Sequence, residues 1–335
     1  MSPDDQRSAD VSVIIPAYRA RLSIGRALAS VIAQTLKPQA VIVVDDGSDD
    51  GTFDAAESMR AQMADIAFTV LAQKNLGAGA ARNRGLTEAT TTYVAFLDAD
   101  DEWLPQKIAR SVTALENTGQ VLVAHDYHRV EANGTEHTVK CAQRFKQAHD
   151  PFSHFFRLGF IATSTVVVQR DAVLAAGGFD ETLATAQDFD LWLKILAGGA
   201  HFSVFDEALT RYHVTGGSIS SFTARRLACS QRIACRHAPS LPDLWYRLLA
   251  VHYEAFAAFH SNGQSFQALT SAARLPWALL VATMTTTLPQ PSKPRIGTPK
   301  WLVAAMSVWV IGVFGAYIYR FQDLMIAALN MLKHL

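Results

Sequence analysis

From Val11 onward, β-rich runs alternate with helical patterns: VSVIIP, a helix over about 23–36, AVIVVDD, a helix near 52–63, AFTVLA, a helix over 78–89, then YVAFLDADD. Strands separated by one helix each imply parallel pairing through crossovers. Runs such as AVIVV are apolar on both faces, so helices must cover both sides of the sheet. This part of the chain therefore reads as a doubly wound α/β domain. Beyond residue 104 the pattern loosens into mixed α+β, with a helix over 105–117, two short strands near 120–140 and TSTVVVQR as a strand at 163–170. A Gly177-Gly178 turn, a helix from about Asp188 and a strand near 201–205 follow.

In an open parallel sheet, ligands bind outside the carboxyl ends of the strands. Here the first strand ends in Pro16-Ala17-Tyr18, the second in Asp45-Asp46-Gly47-Ser48 and the fourth in Asp98-Ala99-Asp100-Asp101. These ends deliver five carboxylates and an aromatic ring to one edge. Crowded like charges cost stability unless a cation is held among them. Hard oxygen donors at a DxD spacing suit Mg²⁺ or Mn²⁺, which take one or two carboxylates and complete their shell with water and substrate phosphates. A phosphorylated substrate follows. Any one Asp taken alone reads more readily as a cap on the next turn, whereas three such strand ends together do not.

Gly77-Ala78-Gly79-Ala80-Ala81-Arg82 approaches a dinucleotide fingerprint, with Asp98 downstream. Arg82, however, stands where the third glycine would let helix pack closely on strand. Lys74 and Arg82 read as cations near a nucleotide, or as surface charges. The chain has no GxSxG, no P-loop and no HExxH, which leaves metal-assisted group transfer.

At these residues the chain resembles the family 2 glycosyltransferases. The matching pieces are VSVIIPAYRA, VIVVDDGSDDGT, QKNLGAGAARNRG, VAFLDADDEWLPQKI, TSTVVVQRDAVLAAGGFDE, QDFDLWLKI and RYHVTGGSIS, in that order over about 11–220. The resemblance implies a GT-A fold, a nucleotide-binding sheet merged with a mixed α+β acceptor part. It implies that Pro16, Ala17 and Tyr18 line the nucleotide, with Asp45 and Lys74 beside it. Asp46 would contact the base, Arg82 the base or ribose, Asp98 the ribose, and Asp100 a divalent metal that bridges the diphosphate. The general base would be Asp188, with Asp190 as its rival, in a single displacement that inverts the anomeric centre. Gly177, Gly178 and Trp192 would border the sugar or acceptor, although two glycines also stop helices and a Trp also fills cores.

Two departures from the family pattern stand out. Gln187 replaces a common Glu, and Tyr212-His213-Val214-Thr215 places Thr215 where relatives carry a His near the metal. Either His213 substitutes as a second metal residue or Asp100 holds the metal alone. Two rival readings are a non-catalytic nucleotide-sugar-binding scaffold and a sugar-1-phosphate nucleotidyltransferase. The second would show a Gly-rich loop where this chain has PAYRARLS.

Residues 1–220 hold 19 Lys and Arg against 27 Asp and Glu, whereas 221–335 hold 11 against 3. An acidic front half lacks the basic footprint of a nucleic-acid binder, and a basic tail suits an anionic membrane. Residues 1–10 read as a loose lead and 11–220 as the catalytic domain. The remainder reads as a helical region over 221–288, with an amphipathic pair about Ser261-Asn262-Gly263, and a Pro-rich basic linker over 289–299. Trp301 to Tyr319 run for 19 residues without a charged side chain between Lys300 and Arg320, long enough to span a bilayer or to pack on the protein, and an amphipathic helix follows. The start lacks the pattern of a secretory signal, and three cysteines without CxxC spacing suit a reducing compartment. The expected location is the cytoplasmic face of the cell membrane, with a nucleotide-sugar donor and a glycan or lipid-linked acceptor as partners.

Overall fold

The computed structural model describes residues 8–214 and 223–286. Its front half alternates as the sequence predicts: β1 (Ala9–Ala17), α1 (Ile24–Ile32), β2 (Pro38–Asp45), α2 (Thr52–Glu57), β3 (Ala67–Ala72), α3 (Ala78–Glu88) and β4 (Tyr93–Phe96). Strands β1 to β4 are parallel, with Ala17 opposite Asp45 and Ile14 opposite Phe96, so their carboxyl ends share one edge. The expected helix near 52–63 breaks after Glu57 and resumes as a 3-10 turn at Arg60–Met63.

The second half runs β5 (Glu102–Trp103), α4 (Lys107–Thr118), β6 (Leu122–His125), β7 (Tyr127–Val130), β8 (Glu136–Val139), α5 (Cys141–Lys146) and α6 (Pro151–Leu158). It continues with β9 (Val167–Gln169), α7 (Arg170–Ala175), α8 (Gln187–Ala197), β10 (Phe202–Phe205) and β11 (Thr210–His213). Three helices close the described chain: α9 (Thr223–His237), α10 (Leu241–Ser261) and α11 (Ser265–Thr285). The main sheet has the order β10-β6-β9-β4-β1-β2-β3, in which β9 runs antiparallel to both neighbours. From β1 the chain moves outward to β2 and β3, then returns to place β4 on the other side of β1. That reversal is the topological switch point at which such sheets bind ligands.

The stretch read as one strand, TSTVVVQR, divides into a 3-10 turn at Thr163–Thr165 and the three-residue β9. A second sheet, ordered β5-β11-β7-β8, stands apart from the main one. The core does not stop at the expected boundary near 220. Ile233, Leu244, Leu248, Leu275 and Leu279 belong to the same buried cluster as Phe96 and Trp192.

The close helix-on-strand packing that Arg82 could not provide comes from Gly85, one turn later on α3. A Cβ there would stand 2.5 Å from Ile14 Cγ2, on a fully buried residue of the central strand. Gly85→Ala gains about 1 kcal/mol of helix propensity but must push β1 and α3 apart, and overpacking of that kind costs about 1–3 kcal/mol. The expected outcome is a lower urea midpoint with an unchanged slope.

Candidate active site

The residues after β2 hold their own loops. Asp45 is buried and accepts hydrogen bonds from the Ser48 backbone N–H and hydroxyl, forming the turn that follows the strand. Asp46 is also buried. Its carboxylate accepts from Gln73 Nε2 at 2.8 Å, from Leu76 N–H at 2.9 Å and from Gly77 N–H at 2.7 Å, so it clamps the loop between β3 and α3. Lys74 is exposed on that loop. Pro16 and Ala17 are buried at the end of β1, whereas the Tyr18 ring is 47% exposed with the Arg19 guanidinium 5.4 Å from its centroid. Tyr18 and the 73–77 loop thus follow the carboxyl ends of β1 and β3, on the sheet edge that carries the switch point between β1 and β4.

Across that point, Asp98 Oδ1 accepts from the buried Arg82 guanidinium at 2.6 Å. Arg82 also lies 5.4 Å from the centroid of the Phe179 ring. Asp101, two-fold hydrogen-bonded and almost fully buried, accepts from the Ser164 hydroxyl at 2.5 Å and from His213 N–H at 3.0 Å. Ser164 Oγ in turn accepts from Asp98 N–H at 3.1 Å. Burial, with the charges of Asp98 and Asp100 close by, pushes the Asp101 carboxyl well above the usual carboxylate range. Asp100 is half-buried, and its main-chain carbonyl accepts from Arg26.

The donor set at Asp100 and His213 fits a divalent cation. His213 Nε2 is buried and makes no well-formed hydrogen bond among the described residues, with Glu102 Oε1 facing it at 3.5 Å. Burial and the nearby Arg26 guanidinium hold the imidazole below its ordinary value, which favours the neutral form that can ligate a metal. No cluster of three or more His, Cys, Asp or Glu side chains disposed to hold a metal occurs among the described residues. Two protein donors at most, with phosphate oxygens and water completing the shell, is the usual arrangement for Mg²⁺. Thr215 lies outside the described residues, as do the 289–299 linker and the 301–319 run.

Asp188 is half-buried in the first turn of α8, and its Oδ2 accepts from the Thr163 hydroxyl at 2.5 Å. Among the described residues Oδ1 makes no hydrogen bond. The 3-10 turn thus presents two adjacent hydroxyls, one on Asp188 and one joining Asp98 to Asp101. Ala186, just before α8, has φ of 58°, a left-handed backbone that a non-glycine residue adopts at a cost of roughly 1 kcal/mol or more. Gln187 turns inward and donates to the Leu183 carbonyl at 2.7 Å. The rival Asp190 has no exposure and is engaged by Arg236 at 2.7 Å and by His237 and Lys194 at 2.8 Å each. It is a structural anchor for α9.

Trp192 does not border a pocket. It is fully buried, with its ring 5.9 Å from Phe96 and 6.2 Å from Phe179, because the face of α8 one turn beyond Asp188 turns into the core. Gly177 and Gly178, with φ of 81° and 70°, end α7: their N–H groups donate to the carbonyls of Leu174 and Val173. A Cβ on Gly178 would stand 2.7 Å from Asn83 Oδ1, which accepts from Phe179 N–H. The pair is therefore a helix stop clamped to α3 by Asn83.

Thr163, Ser164 and Asn83 lie within the matching pieces TSTVVVQRDAVLAAGGFDE and QKNLGAGAARNRG, but a hydroxyl or amide there has no role that spacing alone assigns. Trp103 and Lys107, inside DEWLPQK, turn out to be struts for the same turn. Trp103 Nε1 donates to the Ser164 carbonyl at 2.7 Å, and the fully buried Lys107 Nζ lies 3.3 Å from the Val166 carbonyl and 3.9 Å from the Trp103 ring centroid.

Comparison with known proteins agrees with this fold. The family described as Glycosyl transferase family 2 matches residues 12–174. The amylovoran biosynthesis glycosyltransferase AmsB of Erwinia amylovora is 29% identical over 272 residues, covering 78% of this chain and 89% of its own length. TuaG of Bacillus subtilis (strain 168), named for teichuronic acid biosynthesis, is 30% identical over 214 residues, or 63% of this chain and 81% of its own. WfaP of Escherichia coli, a UDP-Glc:alpha-D-GlcNAc-diphosphoundecaprenol beta-1,3-glucosyltransferase, is 29% identical over 63% of this chain and 80% of its own. Among solved structures, S. aureus TarS 1–349 in complex with UDP superposes with a TM-score of 0.58 at 20% identity, over 80% of each chain. The mannosyltransferase PcManGT from Pyrobaculum calidifontis, in complex with GDP-Man and Mn²⁺, gives 0.58 at 20% identity over 94% of this chain and 85% of its own. At that identity the two structures speak for the fold alone, a mixed α/β unit of the GT-A kind followed by helices.

Proposed function

The chain belongs to the family 2 glycosyl transferases, and from that premise we propose an inverting, metal-dependent enzyme that moves a sugar from a nucleotide donor to a polysaccharide or lipid-linked glycan. The observation that carries this reading is the Thr163-Ser164 turn, which ties Asp188 to the same few residues as Asp98 and Asp101. A proton acceptor and a phosphate-side carboxylate cluster are thereby held by one rigid element.

The acceptor hydroxyl gives its proton to Asp188 as its oxygen attacks the anomeric carbon, and the nucleoside diphosphate departs from the opposite face, inverting the centre. Asp46 serves the nucleotide by holding the 73–77 loop, Tyr18 offers its exposed ring, and Asp98, braced by Arg82, takes a ribose hydroxyl. A divalent cation at Asp100, with His213 as second donor, would supply neutralisation of the charge that builds on the leaving diphosphate. The complex of PcManGT with Mn²⁺ and the UDP and UDP-GlcNAc complexes of TarS support a nucleotide sugar with a divalent metal. AmsB, TuaG and WfaP, by name, support a polymer or lipid-linked acceptor. The basic C-terminal part suits the cytoplasmic face of the membrane.

Thermal unfolding with UDP-, GDP- and dTDP-sugars, with and without Mn²⁺, tests the reading. A ligand at 100 times its Kd adds about 2.7 kcal/mol of stability, so one donor is expected to raise the melting temperature by several degrees, and more with metal. A flat response to every donor with Mn²⁺ present removes the proposal.

A further inference from the structure

Helix α11 is apolar on both sides. Its inner side buries Ala268, Ser271, Leu275, Leu279 and Ala282, spaced by three and four residues, and meets α10 where Trp245 Nε1 donates to Thr283 at 2.9 Å. The amphipathic pattern expected for it predicts polar residues opposite. The outer side instead exposes Phe266 (76%), Trp277 (68%), Leu280 (51%), Val281 and Met284 (79%). At ~100° per residue, Phe266, Trp277 and Met284 stand within about 20° of one another, half a turn from Leu275. Arg274, at the margin of that face, is the one charged residue in the helix. Gln267 and Thr270 are the uncharged polar residues on that side, and a row of exposed large apolar side chains beside them marks a contact surface.

We propose that the outer face of α11 docks on an anionic lipid bilayer, lying in the headgroup boundary with Arg274 toward the phosphates. This rests on the reading of a membrane-associated acceptor and adds to it the surface that makes contact. No helix among the described residues is long and apolar enough to cross a membrane, so α11 lies on the bilayer and not through it. Trp, Phe and Met beside a lone Arg are the composition of an interfacial face.

Two other occupants fit less well. Arg274 is the one charge beside that face and it is positive, so a second copy laid along α11 offers it no counter-charge, whereas the phosphates of anionic lipid do. The chain's own 301–319 run has no charged residue anywhere along it, so α11 alone would leave much of that run facing water. A bilayer accommodates both.

The test uses the full chain and vesicles of phosphatidylcholine with phosphatidylglycerol. Cys141 and Cys229 are buried and Cys235 is half-buried, so a Trp277→Cys, Cys235→Ser variant takes a nitroxide at 277 selectively. The nitroxide is expected to pass from water-accessible to lipid-accessible when vesicles are added. A Trp277→Glu, Met284→Glu variant is expected to bind vesicles at least tenfold more weakly with its melting temperature unchanged. A nitroxide already shielded before lipid is added assigns the face to the 301–319 run or to a second copy and overturns the proposal. A nitroxide still in water while the chain is vesicle-bound also overturns it, yet leaves membrane association standing through another segment. Failure of the unmodified chain to bind vesicles removes both. Sugar transfer to a soluble acceptor, measured separately, reports on the enzyme reading whichever way the lipid result falls.

Discussion

Asp188→Asn is expected to keep donor binding and the fold while losing turnover by about 10²–10⁴-fold, the usual contribution of a positioned base. Asn matches Asp in shape, and its carbonyl oxygen can still accept the Thr163 hydroxyl, so the 3-10 turn stays in place. What disappears is the ability to take a proton. The effect should therefore fall on kcat, with KM for the donor nearly unchanged. Asp190→Asn makes the contrasting control. That carboxylate is buried and paired with Arg236, His237 and Lys194, of which Arg236 keeps Asp180 and Lys194 reaches solvent, so losing its charge is expected to cost about 1–3 kcal/mol. It is expected to lower the denaturation midpoint and to leave the per-molecule rate of the folded fraction near normal. Ordinary turnover by Asp188→Asn would mean that the proton leaves by another route.

The two Asp residues, separated by one position, show what a sequence does and does not disclose. Their place on α8 follows from periodicity, but their depth follows from α9, which brings Arg236 and His237 against Asp190. Trp192 is the same case: one turn beyond Asp188 on the same helical side, it meets Phe96 and Phe179 in place of a ligand. Periodicity gives direction, and only packing gives depth. The strand-end residues were legible because alternation and polar strand ends are both local patterns. The short strands β5 and β11 were not, since EW and TRYH exist as strands only through pairing such as Thr210 with Trp103.

The 163–165 turn has the same origin. Thr and Val are β-formers by propensity, and the stretch reads as strand. Three tertiary bonds override that preference: Trp103 to the Ser164 carbonyl, Asp98 N–H to its hydroxyl, and that hydroxyl to Asp101. The local departure from propensity coincides with the site, as happens where function and not stability selects the conformation. Trp103 and Lys107, which follow the strand-end carboxylates and have no role by residue type, are explained by the same contacts.

Asp100→Asn should have the second large effect, and with opposite signs on activity and stability. Asp98, Asp100 and Asp101 follow one strand, and the first two charges help push the buried Asp101 carboxyl above its ordinary range. Without a cation, removing the Asp100 charge relieves that repulsion, so the metal-free variant is expected to melt slightly higher than the unmodified protein. With donor and Mn²⁺ present the order reverses. The variant loses the metal-dependent part of the donor-induced thermal shift, while the metal-independent part survives through the Asp46-held loop and Asp98. Removing a preorganised electrostatic partner of a leaving group costs about 3–4 kcal/mol, so transfer should fall by about 10²–10³-fold or more. Melting curves in chelator and in Mn²⁺, each with and without donor, separate the two effects. A full Mn²⁺-dependent increment in Asp100→Asn would place the cation elsewhere. A metal-free variant that melts lower would show that Asp100 supports the fold and does not strain it. His213→Ala then divides the donor set: retention of the increment leaves Asp100 as the one protein ligand, and its loss makes the imidazole the second.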